Sequence, residues 1–184
     1  MITANSNMRY MADSFAMTEF IVTNRLSDSI AVNTGRPSDL SVEGVNTREM
    51  NLDAHFNGSY SSLLLNSYHY RCLSACLHEL ISVLKGMDRG EGKSQFDRTI
   101  IHVGGEFNRS ARTDMRGSDH AQNAQSMTLF SGAIKGPYVL GDIISDTGSS
   151  GHSGTYGVGS GELGISTVSA TLATCLGVPS PVNG

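Results

Sequence analysis

Long apolar runs and basic runs are both missing from this sequence, and each absence excludes a class of partner. No stretch approaches the roughly 18 consecutive apolar residues of a membrane-spanning helix. No run of Lys and Arg occurs, and the net charge is −4 with a pI near 5.8. Nucleic-acid binding needs a basic footprint, so it is not expected. Cysteine is scarce, with three in the chain. Cys72 and Cys76 lie four apart in a predicted helix, so they face the same way but are poorly placed to bond each other. Cys175 falls in another predicted helix. All three are expected as buried free thiols. The opening Met1-Ile2-Thr3-Ala4-Asn5-Ser6-Asn7 lacks a basic segment followed by an apolar core, so no signal peptide is read there. The chain as given is expected to be soluble, and either cytosolic or lacking an original leader.

What is present suits a single domain over residues 1–184. Hydrophobic residues make up 39% of the 184 positions and charged residues 16%, enough to build a core and too apolar for intrinsic disorder. Glycine is plentiful at 21 residues, many after position 131, which marks a loop-rich C-terminal third with a Gly-rich loop over 142–164.

Periodicity divides the chain into alternating helices and strands. Met11, Phe15, Ile21, Val22 and Leu26 give a helix over 9–26. Ser29-Ile30-Ala31-Val32 reads as a short strand. Residues 34–48 carry Gly35, Pro37 and Gly44 and read as a loop or insertion. A second strand is expected to end near Leu52. Leu65, Leu73, Leu77, Leu80, Ile81 and Leu84 recur at three and four, giving a long helix over 60–86 with Gly86 as its stop. Asp88 to Lys93 reads as an exposed loop. Thr99 to Val103 is β-branched and nearly all apolar, as in a strand covered on both faces. Met127 to Phe130 is a further strand, and Ile165 to Leu176 a closing helix before Gly177 and Pro179. This order predicts an α/β fold: a mostly parallel sheet with helices on both faces.

Three stretches carry the chemistry, two of them acid–imidazole pairs and one a Glu with an Arg. Asp53 and His55 are separated by one residue at a predicted strand end, so both side chains point the same way and can reach one ion. Asn57 stands close enough to orient a ligand. Gly117-Ser118-Asp119-His120 offers a second acid–His pair; its plain alternative is a turn with an Asx-type hydrogen bond. Glu106 and Arg109 follow the apolar strand directly. There a carboxylate can bind metal and an Arg can hold an anionic oxygen bidentately, or the two can simply form a surface ion pair. Carboxylates and imidazoles together suit a borderline divalent metal.

Five stretches in order resemble a known pattern. They are Leu52-Asp53-Ala54-His55-Phe56-Asn57, Phe96-Asp97-Arg98-Thr99, Glu106-Phe107-Asn108-Arg109-Ser110, Gly117-Ser118-Asp119-His120 and Ser131-Gly132-Ala133-Ile134-Lys135-Gly136. From about residue 10 onward the chain resembles the C-terminal part of the sulfatase-like domain-of-unknown-function family of bacteria, within the alkaline phosphatase and sulfatase superfamily. That resemblance implies the C-terminal half of a three-layer alkaline phosphatase-like sandwich. It implies Asp53, His55 and His120 as ligands of one divalent ion: zinc, manganese or calcium. Glu106 falls where the superfamily has the Asp of a second metal site, but Phe107 replaces the His that normally follows. Asp119 is expected behind His120, holding its tautomer. Asn108 stands where the family has Gly, and Ser118 replaces its Arg or Thr. The superfamily's nucleophile and first metal carboxylate belong to an N-terminal half not in this sequence. The chain is then either a fragment or a shortened relative.

Two motifs read as decoys. Asp146-Thr147-Gly148-Ser149-Ser150 resembles an aspartic-protease signature, but that chemistry needs two carboxylates sharing a proton. Gly159-Ser160-Gly161-Glu162-Leu163-Gly164 matches a dinucleotide fingerprint but follows a Gly-rich loop in place of a strand. His152 reads as a solvated loop residue, His69 and His78 as surface or boundary residues, and His102 as a satisfied core imidazole. Two functions follow as expectations. One is a metal-dependent hydrolase domain acting on small phosphate or sulfate esters. The other is a non-catalytic relative serving as a binding or assembly module, with a second copy or a partner chain covering its open sheet edge.

Overall fold

The helix predicted over 60–86 is the backbone of the structure, and its apolar repeat explains why. In the computed structural model, which describes residues 6–34, 59–105, 108–111, 118–121, 127–137 and 165–180, it runs as α2 from Ser59 to Gly86. Its 28 residues span about 42 Å at the usual rise. Before it comes α1 (Ser6–Thr23). After it come a short 3-10 turn η1 (Phe96–Arg98), strands β1 (Ile101–Gly104), β2 (Asn108–Ala111), β3 (Ser118–Ala121) and β4 (Met127–Phe130), and helix α3 (Ile165–Leu176).

Helices α1 and α2 pack on each other through one buried stripe each. Met11 and Phe15 of α1 meet Leu73, Leu77, Leu80 and Leu84 of α2 in a single core. Leu65 and Leu84 are almost wholly buried, at 0% and 1% exposure. Burying each such side chain stabilises by about 1.5–3 kcal/mol. Thr18 shares the α1 stripe, and its hydroxyl donates to the Ser14 carbonyl at 2.8 Å, so its burial leaves no orphan. Cys72, Cys76, Ile101, Val103 and Phe130 pack on the margin of this core.

The ends of the helices follow backbone chemistry closely. α1 stops at Thr23, three residues short of the expected end, because the chain turns there. The Arg25 N–H donates to Val22 at 3.1 Å and the Leu26 N–H to Ile21 at 2.9 Å. This double closure requires a left-handed residue, and Arg25 supplies it with φ of 55°. α3 ends in the same motif with the favoured residue: Gly177 at φ 67°, the Gly177 N–H to Thr174 and the Val178 N–H to Ala173.

The segment after α2 is a tight reversal, and it is exposed as expected. Asp88 and Ser94 form an antiparallel bridge. The Gly90 N–H donates to the Asp88 carboxylate at 2.8 Å. Gly90, Glu91 and Gly92 all have positive φ, which glycine tolerates and which Glu91 accepts at a cost.

The mostly parallel, helix-covered sheet is not what forms. The described residues contain three helices and only two-stranded antiparallel pairing, with β1 beside β4 and β2 beside β3. Three physical reasons are visible. First, β1 alternates half-buried Ile101 and Val103 with exposed His102 and Gly104, so only one face is covered. Second, the six-residue link from β2 to β3 is too short for a parallel crossover, which needs about a dozen residues. Third, Ser29 to Val32 joins no sheet; Val32 instead lays its side chain on the helical core. The strand expected to end near Leu52, the loop expected over 34–48 apart from Thr34, and the Gly-rich loop over 142–164 lie outside the described residues.

Packing groups the chain into two compact units. The first is Met1–Val103 with Ala111–Asp119 and Met127–Lys135, and holds α1, α2, η1 and β4. The second is Gly104–Ser110 with His120–Ser126 and Gly136–Gly184, and holds α3. Within α3, Ala173 is buried while Cys175 and Leu176 are exposed. None of the described helices is long and apolar enough to cross a membrane.

Candidate functional site

The β2–β3 ladder carries the site residues that the structure describes. Arg109 lies in β2, and Asp119 and His120 lie in β3. Each strand is four residues long, and each has the other as its partner. The six-residue link makes that pairing antiparallel, so Arg109 and His120 lie on neighbouring strands. Both positions belong to the second unit. The candidate anion-holding residue and the candidate imidazole ligand are therefore brought onto paired strands from stretches eleven residues apart. The His120 side chain is exposed, and Ser118 is half-buried.

Asp53, His55, Asn57 and Glu106 lie outside the described residues, as do His152 and both decoy motifs. Among the described residues, no three His, Cys, Asp or Glu side chains converge on one point. The donor chemistry of Asp53, His55 and His120 fits a borderline divalent ion.

A second pair of motif stretches also meets in space. Phe96–Thr99 forms η1 and its exit, and Ser131–Gly136 forms the turn after β4. The Gly132 N–H donates to the Phe96 carbonyl at 3.0 Å. A Cβ on Gly132 would lie 2.4 Å from Asp97 Oδ1 and 3.0 Å from its Cα, so the approach requires glycine. Asp97 is held from the other side as well. Ser94 donates to its Oδ2 through both hydroxyl and backbone N–H at 2.7 Å. Those hydrogen bonds, the hydroxyl's first, hold the Asp97 carboxyl below its ordinary value of 3.8. Ser94, one residue before the Gln95 N-cap of η1, thus clamps the Asp97 carboxylate, and Ser-x-x-Asp at 94–97 is the sequence signal that finds it. Arg89 Nε donates to Gln95 Oε1, and the Lys85 ammonium sits 5.2 Å from the Phe96 ring centroid.

Three side chains differ from their sequence readings. His69 is buried at 6% exposure, not at the surface, and its Nδ1 has no hydrogen-bond partner. Burial holds its pKa below the ordinary 6.5. Its place in the 65–69–73 repeat is the signal that finds it. His102 is exposed on β1 where a core imidazole was expected, because the strand is covered on one face only. His78 is exposed, as expected. All three cysteines are free; Cys72 and Cys76 are half-buried, while Cys175 is exposed.

Neither the protein-family models nor the curated proteins nor the solved structures contain a match to this chain.

Proposed function

We propose that this chain binds a divalent metal ion and a small phosphate or sulfate ester beside it, as a sulfatase- or phosphatase-like hydrolase domain. The observation that carries the reading is the pairing of β2 with β3, which puts Arg109 and His120 on neighbouring strands. The contact of Phe96–Thr99 with Ser131–Gly136 supports it too, because motif stretches far apart in sequence then serve one another in space.

In this reading Asp53, His55 and His120 hold the ion, and Glu106 offers a further carboxylate. Asp119 and Asn57 orient the ligands, and Arg109 grips the anion through its planar fork. When bound, the ion supplies Lewis-acid polarisation of the ester oxygen or activation of a water. Arg109 supplies a fixed positive charge whose directional donors select tetrahedral oxyanions. The alternative is a binding module that takes up the same ion and anion without turnover.

The test is elemental analysis of the purified chain alongside a His55→Ala, His120→Ala double variant, followed by a screen of phosphate and sulfate esters. On the order of one equivalent of zinc, manganese or calcium, lost in the variant, is expected for one site. Ester hydrolysis that needs the ion selects the hydrolase; metal uptake without turnover selects the binding module. Equal metal content in both proteins contradicts the reading.

A further inference from the structure

The geometry points to a second, chemically different metal site: Cys72 and Cys76 of α2 as a two-thiolate site for a soft monovalent cation of the Cu(I) class. The two thiols are four residues apart on one helix, half-buried and free, at the margin of the α1–α2 core. Burial first, and the neighbouring Cys72 second, hold the Cys76 thiol above its ordinary value, so both thiols are protonated until a metal displaces their protons.

Helix geometry decides what such a pair can do. Residues at this spacing have Cβ atoms about 5–6 Å apart, whereas a disulfide needs about 3.5–4.5 Å. A helical pair is thus barred from an intrahelical disulfide. A cation bridging two sulfurs at about 2.3 Å each spans about 4.6 Å, which the same pair reaches by rotamer choice. Long helical side chains lean toward the N-terminus, which carries the Cys76 side chain over the turn that holds Cys72. His69, one turn earlier on α2, is buried with an Nδ1 that has no hydrogen-bond partner, and it stays outside the pair. No three such groups converge among the described residues, which favours a cation satisfied by two ligands over tetrahedral zinc. Binding is balanced as two thiols plus Cu(I) giving a bis-thiolate complex and two protons, with no change of oxidation state. The surrounding apolar residues disfavour hydrated divalent ions and suit a soft cation bound by sulfur.

The site shares no residue with the proposed ester site and takes a different class of ion, so each stands or falls alone. The test is anaerobic titration of the chain with Cu(I) against a bicinchoninate competitor. The wild type and Cys175→Ser are expected to withdraw on the order of one equivalent. Cys72→Ala and Cys76→Ala are each expected to bind at least about tenfold more weakly, since a thioligand is lost. Circular dichroism checks that both variants keep their helices. Copper-edge X-ray absorption of the wild-type complex gives an independent reading that needs no variant, and a two-sulfur shell is expected. Failure to compete for Cu(I), unchanged binding in both alanine variants, or a nitrogen- or oxygen-dominated shell overturns the proposal.

Discussion

The α1–α2 pair and the β2–β3 ladder show two ways a sequence assembles residues. The helical pair is built by repetition: Leu73, Leu77, Leu80 and Leu84 recur on one face and close on Met11 and Phe15. The ladder is built by juxtaposition, with two four-residue strands and an exposed His120. The first holds most of the described buried core, and the second holds the described residues of the candidate ester site. That division is what substitutions break or sharpen.

The largest effect belongs in the helical pair. Leu84→Ala, at 1% exposure, is expected to cost about 2–5 kcal/mol, by lost transfer energy plus a cavity. Urea denaturation measures it. Gly132→Ala follows, because its methyl would meet Asp97 and the backbone behind it. A loss of about 1–3 kcal/mol is expected from the forced shift. The same denaturation curve, compared with Ala133→Gly as a control for backbone freedom, isolates the clash.

Arg25→Gly acts in the opposite direction. Arg25 occupies the left-handed position that closes α1, where a side chain is strained. Glycine there is expected to raise stability by up to about 1 kcal/mol. A Tm that falls would mean the Arg25 side chain contributes more than its backbone strain costs.

Two pH limbs report on the helical pair and the turn that follows it. His69 has a folded pKa below its ordinary 6.5 because burial penalises the cation. Between those values the unfolded chain binds the proton and the folded chain does not, so stability falls as pH drops below about 6.5. His69→Leu should flatten that limb in unfolding curves. Asp97 has a folded pKa depressed below 3.8. Its contribution is full above that value and is lost as pH falls through the lower folded value. Asp97→Asn should remove that acid limb and leave the His69 limb intact.

The contrast also explains what was legible in the sequence. The 65–73–77–80–84 repeat gave α2 nearly to the residue, because a long helix with one apolar stripe has few alternative readings. Met127–Phe130 and Ile165–Leu176 were equally plain. Sheet topology was not. Thr99–Val103 is apolar enough for a doubly covered strand, yet His102 breaks the pattern, and its alternation decides that one face is open. Ser29–Val32 has strand composition, but Val32 finds its burial on the helices instead. Apolar content alone does not say which neighbour supplies the burial. At the site, the spacing of Asp119 and His120 was readable, whereas the partner strand carrying Arg109 was not, because pairing depends on the connection and not on either motif.

The most direct measurement is the thermal unfolding of wild type and the His55→Ala, His120→Ala variant, each with and without manganese after metal stripping. The division of labour predicts coincident melts without metal and a metal-induced rise in Tm for the wild type alone, since an ion bound by the folded state stabilises it by mass action. Equal shifts in both proteins, or a metal-free variant that melts far below the wild type, would contradict it.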